Sequence, residues 1–261
     1  MGRQAAFSGF GGIVFLVGGG LLADLSWRAP FAIYLLGWPI LYLVLRHVDE
    51  PDRTASRAAA GATGDGLDGP RIVRVAALSA VGFSSMIVFY LTPVQIPFHL
   101  RGLGAGSGTV AGLAVAATTL TSALASLRYG ALRERLGYSA VFALLLAVMA
   151  AGYAAVAVAA GPVGVIAGLA VFGVGLGLLL PNLNSLAGDI ASSGTRGTVV
   201  GALTTSLFLG QFASPFATQP LVARFGSGGA FGGASALLLV GAVLFLAHAL
   251  LGRTGSARSG S

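Results

Sequence analysis

The chain has 261 residues, no cysteine, 56% hydrophobic and only 9% charged residues, and a mean hydropathy of +0.88. A soluble domain carries about 25% charged residues. This chain has too few to coat a water-facing surface or to keep a chain disordered, so both classes are excluded. Its 15 cations are all arginine and the net charge is +7.

The absence of lysine removes Walker-type phosphate loops, Schiff-base catalysis and pyridoxal phosphate anchoring. The absence of cysteine removes thiol nucleophiles, thiolate metal sites and iron–sulfur clusters. No His-Glu-x-x-His helix, Gly-x-Ser-x-Gly elbow or pair of intramembrane carboxylates is present. No enzyme activity, metal or cofactor is therefore expected. Nucleic acid is rejected as a partner because the arginines punctuate apolar runs instead of clustering on one polar domain.

A helix needs about 20 mostly apolar residues to cross roughly 30 Å of hydrocarbon. Eight such runs occur, at 5–22, 29–45, 75–98, 106–127, 138–160, 163–187, 199–223 and 229–251. The first follows Arg3 and could be misread as a signal peptide, but seven more follow it. The fifth and sixth are separated by Gly161-Pro162, a tight turn. A membrane barrel would need alternating segments of about 10 residues. Runs such as 141–151 and 163–180 are apolar on both parities, so the expected class is all-α, a polytopic bundle of eight transmembrane helices.

Arginine placement orients the chain. With the N-terminus inside, Arg3, Arg46, Arg53, Arg57, Arg71, Arg74, Arg128, Arg133, Arg135, Arg196, Arg253 and Arg258 lie inside. Only Arg28, Arg101 and Arg224 lie outside. Both termini are expected in the cytoplasm of a cell, with the lipid bilayer as the first partner.

Residues 49–74 hold two prolines, four glycines, five acidic residues and four arginines, and read as a cytoplasmic linker. They separate two spans in residues 1–48 from six in 75–251. Residues 252–261 read as a disordered tail.

Glycine pairs four apart allow helices to approach closely in lipid, at Gly108/Gly112, Gly164/Gly168, Gly173/Gly177 and Gly197/Gly201. A Leu-x-x-Arg-x-Gly echo occurs at 132–137 and again at 221–226, three spans apart and so on opposite membrane faces. A three-plus-three inverted repeat has this property.

These residues resemble the major facilitator superfamily. Its loop signature, Gly-x-Leu-x-Asp-Arg-x-Gly-Arg-Lys, is echoed by Gly130, Leu132, Glu134, Arg135 and Gly137, with Glu for Asp and Tyr138-Ser139 for Arg-Lys. Pro181-Asn182-Leu183, Arg196-Gly197, and Gly210-Gln211 with Pro215 look like the tenth and eleventh helices of bacterial efflux members. Residues 19–28 look like the end of the family's fifth helix. The resemblance implies a partial major-facilitator fold, helices five to twelve, in which residues 1–48 are the last two helices of the N-terminal half and 75–251 the whole C-terminal half. It implies N-terminal truncation or a misplaced start.

It also implies transport of a small solute by alternating access, as secondary-active efflux driven by a proton gradient. The glycine-rich antiporter signature is degraded, with Phe15-Leu16 where Gly-Pro should stand. A truncated, transport-inactive fragment is the alternative. A membrane enzyme or channel is remote.

Polar groups in hydrocarbon are costly unless satisfied. Gln211, Gln95, Thr118, Thr119, Asn182 and Asn184 are the candidates for a substrate cavity, each against a packing role. Pro93, Pro97, Pro181 and Pro215 remove backbone donors and are expected to kink their helices. Glu134 and Arg135 are expected to lock one conformation, the carboxylate docking on a neighbouring helix N-terminus. His99 and His248 are expected at membrane edges. No carboxylate falls deep in a span. Substrate, coupling ion and oligomeric state stay open.

Overall fold

The computed structural model describes residues 2–47, 67–192 and 194–258, with side chains from 11 to 251. In chain order the elements are α1 (Gly2–Leu25), a 3₁₀ segment (Ala29–Leu36), α2 (Gly37–His47), α3 (Gly69–Gly102), α4 (Gly108–Ser126), the short α5 (Tyr129–Arg135), α6 (Tyr138–Ala157), α7 (Pro162–Ile190) and α8 (Arg196–Arg258). Among the described residues there is no strand.

Six helical stretches are long and apolar enough to cross a membrane, and α1 adds a shorter apolar helix at Gly11–Leu25. The last stretch, Arg196–Leu251, is 56 residues long, too long for one crossing. Gly226 divides α8: at φ 71° and ψ 174° it takes a conformation that only glycine adopts freely. With α8 in two limbs, 196–225 and 227–258, the crossings agree with the eight expected.

Side-chain registers give the helix directions. The first limb of α8 runs parallel to α3, with Ser214 bonded to Ile87 and Gln219 to Gln95. Along α7 and α4 the pairs Leu169–Thr118 and Asn182–Tyr129 show the same sense, the latter through α5 at the foot of α4. The second limb of α8 is antiparallel to α6: Ser235 bonds Ala150 and Phe245 stacks on Phe142. Odd and even crossings therefore alternate in direction. Arg74, Arg128, Arg133, Arg135 and Arg196 fall at one end of the bundle, and Arg101 and Arg224 at the other.

The expected linker, 49–74, lies largely outside the described residues, but its end is corrected. Asp68 accepts a bond from Arg71 N at 3.1 Å and Pro70 occupies the first turn, so α3 starts at Gly69. The second span changes character at Gly37. Residues 29–36 wind as 3₁₀ and the α-helix takes over two residues before Pro39, whose missing N–H falls in its first turn. Helical backbone continues from the last apolar run to Arg258, into the residues expected as a tail. Helices pass through Pro93, Pro97, Pro181 and Pro215, and the one non-helical residue within them is Gly226.

Glycine packs the bundle at particular seams. A Cβ on Gly112 would sit 2.6 Å from Leu16 O of α1, and one on Gly108 would sit 2.9 Å from Gly20 O. Cβ atoms on Gly173 and Gly177 would fall on the backbone oxygens of Thr118 and Ser122 in α4. Gly168 and Gly152 face each other across α7 and α6, each with the other's carbonyl under 3 Å from its would-be Cβ. Gly197 and Gly201 meet nothing within 4 Å, so that pair packs no described helix. With lipid as solvent, such close backbone approach is what binds helix to helix.

Gly177→Ala is therefore expected to destabilise the protein by roughly 1–3 kcal/mol, the range for overpacking. Gly188→Ala, at a position with nothing within 4 Å, is expected to be neutral or slightly stabilising. Thermal unfolding in detergent compares the two directly.

Candidate functional site

The candidate residues occupy three levels of the bundle. At the end away from the arginine cluster, Gln95 is buried on α3 and its Nε2 donates to Gln219 Oε1 at 3.5 Å, a long bond. One turn on, His99 is 7% exposed, buried more deeply than a membrane-edge position predicts. Its Nε2 lies 3.2 Å from Val156 O and its Nδ1 2.9 Å from Ser227 Oγ. A carbonyl only accepts, so Nε2 carries the proton and Nδ1 accepts from the serine. His99 thereby joins α3, α6 and the second limb of α8 beside the break at Gly226.

Between the ends, Gln211 is half-buried and reaches only the sulfur of Met86, at 3.9 Å. The described protein leaves most of its hydrogen-bonding capacity unused. Thr118 is buried and shared between Ala114 O in its own helix and Leu169 O of α7, a packing role. Thr119 bonds back to Val115 O and faces Gly12 of α1.

The sequence offers no sign of the next group. Tyr153 of α6 is 0% exposed; its hydroxyl donates to Val88 O at 2.7 Å and meets Thr92 Oγ1 at 2.8 Å. Its ring stacks on Phe172 of α7 at 4.1 Å between centroids and meets Phe231 edge-on at 5.1 Å. Tyr and Thr are unremarkable in apolar runs, and only the three-dimensional register shows that they meet.

At the arginine-rich end Asn182 is fully buried, accepts from Tyr129 at 3.2 Å and donates to Tyr138 O at 3.4 Å. Asn184, two residues on, points to the opposite side of α7 and is exposed. The loop motif forms α5 and its exit. Gly130 packs against nothing, Leu132 packs on the core, and Gly137 caps α6 in an extended conformation. Glu134 and Arg135 are exposed, and neither bonds a described residue, so no docked carboxylate is seen there. Arg133 holds the place instead, its guanidinium 3.6 Å from the centroid of the Tyr138 ring. Tyr138 in turn donates to Asp189 at the end of α7.

The six cavity candidates do not converge. None lines the four described cavities, which are largely apolar, one with polar residues at its end, and lie mainly along α3, α6 and α8. Pro93 and Pro215 are exposed, and Pro97 and Pro181 half-buried. Among the described residues no cluster of three metal-binding side chains occurs. Tyr153→Phe is expected to cost about 1–2 kcal/mol in thermal unfolding, two interhelical hydrogen bonds, and Thr92→Val less, because the tyrosine keeps its bond to Val88.

The sequence profile of the Major Facilitator Superfamily matches residues 78–260. No curated protein sequence matches significantly. Among solved structures, the chain is similar to a crystal structure of the peptide transporter POT in complex with sulfate, with a TM-score of 0.56 and 24% identity. The match covers 74% of this chain and 40% of that one, and at this identity it speaks for the fold alone. The profile spans well over half of the chain, and with the alternating helices described above it makes this protein a member of the major facilitator superfamily, a multi-pass membrane transporter family.

Proposed function

We propose that the chain takes part in secondary-active efflux of a small solute by alternating access, in a cell membrane, with both termini cytoplasmic. The observation that carries this reading is the joint alternation of helix direction and arginine placement within a superfamily member. Gln211 is the residue offered to substrate, since it is half-buried, central in its crossing and bonded only weakly.

A proton gradient is the proposed drive, yet the spans supply no evident coupling acid. The described carboxylates of the helices and their caps, Asp24, Asp68, Glu134 and Asp189, all sit at helix ends. A second reading, that this chain alone moves nothing, is favoured by one observation. Residues 29–47 bury no side chain, and Trp38 is 73% exposed, so this span has no substantial protein partner.

Reporter fusions at each terminus are expected to place both on the cytoplasmic side, and one external terminus overturns the orientation. In everted vesicles carrying the full chain, uptake of the dye ethidium is expected to rise when an inward-acid proton gradient is imposed. Gln211→Leu is expected to lower that uptake about tenfold, as for loss of a polar contact to bound solute. Absence of uptake under either condition favours the second reading.

A further inference from the structure

Two of the cavities are one groove. The first, about 400 Å³, lies at the arginine-rich end and is lined by Arg74, Tyr138, Ser139, Asp189 and His248 among apolar residues. The second, about 360 Å³, continues from it between α3 and the second limb of α8, past Ala80, Ser84 and Leu244 to Val88 and Leu237. They share Val81 and Phe245. The groove thus has a polar mouth and a long apolar body.

Its length covers one membrane leaflet and runs on into the other. Arg74 precedes the apolar run of α3, Tyr138 begins α6, Asp189 and His248 lie near the ends of α7 and of the last apolar run. All four are therefore at the height of the membrane–water interface. Val88 is fourteen residues beyond Arg74, about 21 Å along the helix, so the body reaches past the midplane of a hydrocarbon layer about 30 Å thick.

The mouth carries both signs of charge. Arg74 is exposed and makes no hydrogen bond or ion pair with a described residue. Asp189 is exposed and uses only Oδ2, which accepts from Tyr138. A guanidinium suits a phosphate diester, and a carboxylate oxygen suits an N–H donor. We propose that this groove binds a phospholipid of the arginine-rich leaflet whose headgroup carries both a phosphate and a primary ammonium, with one acyl chain laid along α3.

Chemistry at the mouth sets the selectivity. Phosphatidylethanolamine offers the phosphate to Arg74 and three N–H donors to Asp189, and His248 adds a polar neighbour. A choline headgroup has no N–H to donate. A glycerol headgroup leaves Asp189 facing a net anion. The inference does not depend on which solute the protein moves.

The test uses the full-length chain in detergent, incubated with equimolar dioleoyl phosphatidylethanolamine, phosphatidylcholine and phosphatidylglycerol and examined by native mass spectrometry. The ethanolamine lipid is expected to dominate the retained adducts. Arg74→Gln is expected to reduce that adduct about tenfold, as loss of a charge-assisted hydrogen bond does. Asp189→Asn is expected to erase the preference over choline. Ala80→Trp, at an exposed position on the groove wall, is expected to block all three lipids while the circular dichroism spectrum stays unchanged. Millimolar inorganic phosphate is expected to leave the adduct intact. Equal retention of the three lipids, preference for phosphatidylglycerol, displacement by free phosphate, or a preference that survives both Arg74→Gln and Ala80→Trp overturns the proposal. If Asp189→Asn fails to fold because its bond from Tyr138 is weakened by the loss of charge, the other two variants still decide.

Discussion

Four helices meet on a single phenol. Tyr153 belongs to α6, bonds the backbone of α3 at Val88 and the side chain of Thr92, stacks on Phe172 of α7, and touches Phe231 of α8. No water exists in a bilayer to satisfy a misplaced hydroxyl, so this contact fixes register as well as proximity. Sliding α3 by one turn would strand both the phenol and Thr92. Aromatic pairs of this geometry contribute about 0.5–1.5 kcal/mol each beyond their burial. The bonds to α3 add the directional part.

Around that point the seams differ in kind. The α4–α7 and α6–α7 seams are closed by glycine, backbone against backbone. The seam between α3 and the second limb of α8 is left open as the groove, although Gly241 lies in it. The same chain thus builds dry, tight contacts on one side of Tyr153 and a loose, lipid-shaped contact on the other. Gly152 and Gly168 meet each other's backbone and that of Phe172 and Val156, whereas Gly241 turns toward Leu146 of α6 and so closes no contact with α3.

Much of this architecture was legible from composition and spacing. Apolar runs broken by charge gave the crossings, because a bilayer imposes length on any helix within it. The Leu-x-x-Arg-x-Gly echo marked two real helix junctions, at Gly137 and Gly226, one at each end of the bundle. What escaped reading has physical causes. The start of α3 was hidden by polar residues that cap it instead of continuing a linker. The 3₁₀ winding before Gly37 has no signature in an apolar run, because hydropathy does not distinguish one helix type from another. In the motif, Glu134 and Arg135 drew attention by their charge, yet Arg133 makes the contact, because helix phase in α5 turns it toward Tyr138. Tyr153 and His99 were missed as cross-helix links because their partners lie more than fifty residues away.

One end of α1 is held differently from the rest of it. Asp24 accepts from the backbone of Gly108 at 2.6 Å and of Thr109 at 2.9 Å, and from the hydroxyls of Ser107 and Thr109. Four donors converge on a carboxylate at the positive end of α4, while the described seam below is held by backbone approach, Gly112 against Leu16, with no side-chain hydrogen bond across it. The α1–α2 pair meets the six-crossing body substantially through α4 alone. Any relative displacement of the two parts is therefore a splaying, pinned at the Asp24 end and widest at the arginine-rich end, as a pair of tongs opens from its rivet.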